Sequence, residues 1–400
     1  MKKYFNICNL YIIIWCLYYL QGIAYTRGGA ISQMLLLIIM LISGYYFIKV
    51  NVQYKLPTFL KVLNVFIIVM SVYGVALMMD TRPLYLDFEF TQSVTKLEFL
   101  KSLYISLLPV YAMFDFTKQQ LLTVESIQGL SIILIVSTTL SYFQEQEMAM
   151  KEALELGSKQ EEFTNNTGYK FLQIFPLMFF WQRKPVIQYV LIGYIFTFIV
   201  MGLKRGAILI GAVCIMWFLY RMLASATKKT RITIVLLTIA MLIVGSYFVV
   251  DFYYTSEYFQ YRVDQTLEGS SSGRDTIYTL LWEYFINQES FANILFGNGA
   301  MRTIMVAGNF AHNDWLELAI CQGVLGVCIY ILYFIALINN WLRSAHNKIV
   351  YNTLGMTIII MFVSTLFSMS YNNLNLAITI CLGYCLEQSQ RKNIVPHAKH

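Results

Sequence analysis

Charge is scarce in this chain. Asp, Glu, Lys and Arg make up 13% of its 400 residues, about half of what a soluble domain carries. Hydrophobic residues make up 58%, and mean hydropathy is +0.58. That balance excludes a water-soluble globular protein. Cysteine is absent from every long polar loop: Cys8, Cys16, Cys214, Cys321, Cys328, Cys381 and Cys385 all fall within or beside apolar stretches. A disulfide framework and a zinc site are therefore not expected. Cys381 and Cys385, four apart on one helix, read as small packing residues rather than a redox pair. Low-complexity linkers and convincing internal repeats are also lacking, so residues 1–400 read as one integral domain. No small-x-small cleavage site follows the first apolar run, where Gln21-Gly22-Ile23-Ala24-Tyr25 stands. Lys2, Lys3 and that run are expected to form a retained first helix.

The apolar residues gather in runs of roughly 17–25, the length that crosses a hydrocarbon core as helix. Backbone groups in lipid must be satisfied internally, so such runs become helices. The sequence predicts an all-α polytopic membrane protein with about twelve spans: 5–24, 31–48, 57–78, 98–115, 120–142, 168–182, 186–203, 206–222, 232–250, 313–338, 349–370 and 374–388. With both termini cytoplasmic, most of the 29 basic residues fall in short inner segments. Among these are Lys49, Lys55, Lys61, Arg183, Lys184, Lys228, Lys229, Arg231, Arg343 and Lys348, while Asp115, Glu125 and Glu387 are the acids on that side. This is the positive-inside pattern of a cell-membrane protein. The net charge of +7 then reflects loops facing anionic lipid, not a nucleic-acid surface.

Three outer segments are long: 79–97, 143–167 and 251–312. The second, Gln144 to Glu162, is acidic and helix-prone; it reads either as a surface helix or as a solvated loop. The third is long enough to expect function or disorder. Its Tyr278, Leu280, Leu281, Trp282, Tyr284 and Phe285 predict an amphipathic helix, with Ser270-Ser271-Ser272-Gly273-Arg274-Asp275 as turn and cap. Phe296-Gly297-Asn298-Gly299 predicts a second tight turn. A metal would need clustered acids, and Asp80, Asp87 and Glu89 lack a ligand pattern.

Residues that break the charge rule carry the chemistry. Lys204-Arg205-Gly206 fills a tight outer turn between two apolar helices. Such a pair either snorkels to headgroups or forms an anion site, with the Arg fork, the Lys charge and the free N–H groups of the next helix acting together. Arg274 reads either as a loop residue paired with Asp275 or as a third cation of that site. Histidine occurs only four times. His397 and His400 lie in the C-terminal tail and His346 in a short basic loop. Only His312 sits where the long polar loop meets a membrane helix, and imidazole is the group best poised to move protons near neutral pH. Asn313 follows it, Glu317 lies deeper on the same helix, and Gly323 and Gly326 suggest close helix packing there.

These residues resemble a known family. His312-Asn313, nine residues, Gly323, two residues and Gly326 match the His-[Asn/Ser/Gln]-x9-Gly-x2-[Gly/Thr/Tyr] pattern of bacterial O-antigen ligases and related polymerases. Lys204-Arg205-Gly206-Ala207 resembles their Ser-Arg-Gly turn, with Lys where Ser is common. Ser272-Gly273-Arg274 before Trp282 resembles the Gly-Arg…Trp start of their large periplasmic loop, and Arg262 with Gly273 fits an Arg-x10-Gly spacing. The likeness covers about residues 200–340. It implies a GT-C-like helical glycosyltransferase whose donor is a glycan on undecaprenyl diphosphate, acting with inversion and with neither metal nor cofactor. Membrane lipid, a flippase and a chain-length regulator are the partners it implies.

Such a reaction needs cations for the leaving diphosphate, a base for the acceptor hydroxyl and an apolar groove for the lipid. Lys204, Arg205 and Arg274 suit the first need and His312 the second, with Asn313, Glu317, Arg262, Gly323 and Gly326 in support. Three activities remain open at this point: a polymerase of O-antigen, capsule or exopolysaccharide repeats, a ligase moving the finished chain to lipid A–core or protein, and, in another class, a lipid-glycan flippase or transporter.

Overall fold

The computed structural model describes residues 6–81, 95–155, 165–225, 228–255, 259–260, 263–264, 274–368 and 370–391. Arg262, Ser270 to Gly273, Asp87 and Glu89 lie outside these residues, as do Lys2, Lys3, His397 and His400. Among the described residues the chain is helical and holds no strand, only an isolated bridge between Gln21 and Tyr25. In chain order the helices are α1 (Ile7–Tyr19), α2 (Ala30–Gln53), α3 (Thr58–Met79), α4 (Lys96–Leu107), α5 (Pro109–Lys118), α6 (Val124–Glu155), α7 (Thr167–Ile174), α8 (Pro185–Met201), α9 (Arg205–Ser225) and α10 (Lys228–Thr255). The long polar segment and the C-terminal part contribute α11 (Arg274–Ile286), α12 (Phe291–Phe296), α13 (Arg302–Ala307), α14 (Asp314–Arg343), α15 (Lys348–Ser364) and α16 (Leu376–Arg391).

Six helical stretches among the described residues are long and apolar enough to cross a membrane: α2, α3, α4 with α5, α6, α9 and α14; α1, α8 and α15 are apolar but shorter. The α2 helix shows why this is a membrane fold. Leu35, Ile39, Tyr46 and Val50 are buried, yet Met34, Leu37, Leu41, Tyr45 and Ile48 on the opposite side are exposed. A helix in water would place charge on that second face; apolar all round, α2 suits lipid.

Local chemistry moves several expected boundaries. The 98–115 span divides at Leu108, because Pro109 has no N–H to continue the ladder and opens a new helix instead. The 168–182 span is one short α-helix followed by a 3-10 segment, Phe175–Trp181, with Pro176 at its start. The loop expected from 143 is a continuation of α6 as far as Glu155. Glu145 holds the start of that extension against Lys170 at 2.8 Å and Arg27 at 3.6 Å; the helix expected of this stretch is present as far as Glu155, in place of a loop. The 349–370 span ends at Ser364; residues 365–368 and 370–375 are irregular, and Asn375 caps α16 by accepting from Ile378 N at 3.2 Å.

Segments expected on one side of the membrane meet at one end of the bundle. Gln144 Nε2 donates to Gly22 O, Lys96 Nζ to Asp80 O, and Tyr73 Oη to Phe296 O. At the other end Asp115, fully buried, accepts from Lys49 Nζ at 3.0 Å and Tyr54 Oη at 2.7 Å, and Arg391 reaches Thr117 O at 3.0 Å. The two sets stay separated along the helices.

Candidate active site at the loop–helix junction

The site is built around the N-terminus of α14. Asn313, in extended conformation, is the N-cap: its Oδ1 accepts from Trp315 N at 3.0 Å and Leu316 N at 3.1 Å. That satisfies two of the helix's orphan donors. One residue earlier, His312 has φ 51°, a left-handed conformation that costs a β-carbon-bearing residue of the order of 1–2 kcal/mol. Bonds on both sides hold it there. Ala311 N donates to Glu317 Oε2 at 2.9 Å, and Asp314 N donates to Thr365 O at 2.8 Å. Glu317 also accepts from Thr303 Oγ1 at 2.8 Å and from Cys321 Sγ at 3.5 Å. Both acids are almost wholly buried. Asp314 in turn accepts from Ser370 N at 2.9 Å, Ser370 Oγ at 2.5 Å and Tyr330 Oη at 2.8 Å. A buried carboxylate with a full set of donors fixes the chain around it.

Facing this turn is the start of α9. Leu203, with φ 54°, turns the chain from α8, and Lys204 O accepts the first bond of α9, from Ile208 N at 3.0 Å. Lys204, Arg205 and Gly206 are each partly buried. Gly206 has no room for a side chain: a β-carbon would overlap the Tyr169 hydroxyl and press on Phe367. The same hydroxyl bonds Arg274, the first residue of α11. Tyr278, one turn further along α11, donates to His312 O at 3.4 Å. Two tyrosines thus stitch the α9 turn, the start of α11 and the His312 turn into one surface.

Electrostatics places the cations at the imidazole. His312 is held below its usual range, first by burial and then by the charges of Arg274 and Lys204. Burial pushes the Tyr278 phenol up, against the opposing charge of Arg274, so it stays a donor. At neutral pH the ring is therefore neutral, with one nitrogen able to accept a proton, beside two fixed positive charges.

The structure brings together His312, Lys204 and Arg274 and shows how Asn313 and Glu317 support them. Arg205 opens α9 in the same turn. The close helix packing expected at the two glycines holds for Gly323, against α12, and not for Gly326. Gly323 has φ 66° and breaks α14. A β-carbon there would strike the backbone of Ile294, Leu295 and Gly297, and one at Gly297 would strike Cys321 and Gln322. Across this contact Asn298 N donates to Ile320 O at 2.9 Å and Gly299 N to Cys321 O at 3.0 Å. Gly323 therefore seats the 297–299 turn of the outer loop, and the space at Gly326 is filled mainly by Gln322 of its own helix. The sequence reading missed Asp314, Ser370, Thr303 and Tyr169. Asp314 carried the only available hint, an acid at the mouth of an apolar span. Among the described residues no three His, Cys, Asp or Glu side chains come together as a metal cluster.

No family model matches the chain, and no curated protein matches it.

Proposed function

We propose that this protein is a membrane glycosyltransferase of the O-antigen polymerase type. It transfers a glycan from a polyprenyl diphosphate, undecaprenyl diphosphate in the resemblance, to a sugar hydroxyl of a lipid-linked repeat unit on the outer face of the cell membrane. The observation that carries this reading is the convergence of a neutral, cation-flanked imidazole with Lys204, Arg274 and the N-terminus of α9. The acceptor oxygen attacks the anomeric carbon with inversion, and its proton passes to His312. The bond from that carbon to the diphosphate oxygen breaks with its electron pair on the diphosphate, whose charge Lys204, Arg205, Arg274 and the N-terminal end of α9 neutralise. Exposed Leu209 and Met216 lie further along α9 and offer apolar surface for the polyprenyl chain. In this reading all twelve apolar segments belong to a GT-C-like bundle with both termini in the cytoplasm.

Replacement of His312 or Arg205 by Ala, with membrane insertion verified, is expected to abolish glycan assembly; full assembly by both variants would refute the proposal. A ligase needs the same donor chemistry, and a deletion strain separates the two activities. Loss of a polymerase leaves single repeats on the final acceptor, whereas loss of a ligase strands full chains on the lipid diphosphate.

The break in α14 favours one other reading, a lipid-glycan transporter, because transporters bind at interrupted helices. Here, however, the broken turn packs on the outer loop through Gly297 and Gly323, which suits an outer-face enzyme.

A further inference from the structure

Beside the His312 turn lies a cleft of about 890 Å³ whose walls are α11, α12 and α13, within the roughly 300–1,000 Å³ range of ligand sites. A smaller space of about 200 Å³ adjoins it, sharing Asn298 and Arg302 and reaching Asp80 at the end of α3. The lining is polar. Asn287, Gln288, Asn293 and Asn298 line it with amides. Gln288, Asn293 and Asn298 each spend one N–H on Tyr284 O, Gln288 Oε1 and Ile320 O, which orients them and leaves each a second N–H, with the carbonyl oxygens of Asn287, Asn293 and Asn298 as acceptors for a sugar hydroxyl. Glu283, Glu289 and Asp80 add carboxylates. Arg302 is the single base of the lining: its Nε donates to Tyr284 Oη at 3.1 Å, and the guanidinium lies over that ring at 5.8 Å. Leu280 and Val306 are too little apolar surface for a lipid tail.

The cleft is also in fixed register with the site. Arg302 and Val306, four apart on α13, face the cleft, while Thr303, the next residue after Arg302, is buried and bonds Glu317, which holds Ala311 N. Its floor includes Asn298, whose N–H donates to Ile320 O of α14 just before the break at Gly323.

We infer that this cleft is a glycan subsite, separate from the diphosphate site, and that it accepts neutral or amino-sugar residues and rejects uronate-rich chains. In the larger cleft two exposed carboxylates, Glu283 and Glu289, against one engaged arginine disfavour a polyanion, and the amides satisfy hydroxyl groups whatever the linkage. The subsite rests on the glycosyltransferase reading for its purpose, but its binding is measurable without transfer.

The test is retention of the full-length protein, held in lipid nanodiscs, on an array of neutral, amino-sugar and uronate-rich oligosaccharides. The wild type is expected to retain neutral or amino-sugar members at least roughly tenfold better than uronates. His312→Ala is expected to retain them equally, because that residue lies outside the cleft. Glu283→Lys with Glu289→Lys, both on exposed positions, is expected to reverse the preference by a similar factor, and Asn287→Ala to weaken neutral binding several-fold. No glycan retention, retention indifferent to these substitutions, or a wild-type preference for uronates would each overturn the subsite. Glycan retention without any transfer activity would instead overturn the enzyme reading and leave the subsite standing.

Discussion

At the scale of single residues, the protonation of His312 is the property on which the proposed activity turns. Burial, Arg274 and Lys204 all favour its neutral form. A base whose pKa is depressed stays active to lower pH and loses activity only as pH falls through that depressed value. The acid limb of kcat/KM is therefore expected below the ordinary imidazole value of about 6.5. In Arg274→Gln or Lys204→Gln one positive field is gone, so the limb is expected to move upward while the rate falls; a pH–rate profile checks this. Glu317 is a positioning residue. Glu317→Ala leaves the donors at Ala311 and Thr303 without an acceptor, at about 1–3 kcal/mol for each buried group left unsatisfied. Thermal unfolding in detergent is expected to show that loss. Kinetics are expected to show a larger fall in kcat than rise in KM, with Glu317→Gln, which keeps one accepting oxygen, partly restoring both.

Among the helices, α14 carries most of the design. Its N-terminus anchors the proposed catalytic turn, its break at Gly323 receives the 294–299 segment, and its remainder packs in the bundle. Gly297 and Gly323 close the same gap from opposite sides. Gly323→Ala and Gly297→Ala are each expected to destabilise by more than the approximately 1–2 kcal/mol of left-handed strain, because backbone must also move. The double variant is expected to fall short of their sum, since either change alone undocks the turn. Limited proteolysis of the outer loop and thermal unfolding measure both effects. The apolar runs were legible in the sequence because length and hydropathy fix them, and Gly297 and Gly299 were legible as a turn. What was not legible depends on partners distant in sequence. Asp314 meets Ser370, Glu317 meets Thr303, and Tyr169 meets both Gly206 and Arg274. The His312, Asn313 and Gly323 spacing was legible as a loop–helix junction. It could not reveal that Gly323 seats a loop, because the surface it meets lies at 294–297.

Across the whole molecule, polar segments divide between two ends of an apolar bundle, with the His312 surface at one and the Lys49–Asp115 pair at the other. With Cys328 replaced by Ser, Asn287→Cys is expected to react with a membrane-impermeant maleimide on intact cells, and His346→Cys only after permeabilisation. The reverse pattern would invert the topology and remove the site from the face where lipid-linked glycan is assembled. The central claim, that a single imidazole drives glycan transfer from a lipid diphosphate, is tested most directly by elongation of purified undecaprenyl-diphosphate-linked oligosaccharide in proteoliposomes. The expected result is longer lipid-linked chains with the wild type and none with His312→Ala; equal elongation by both, or none by a correctly inserted wild type, would contradict it.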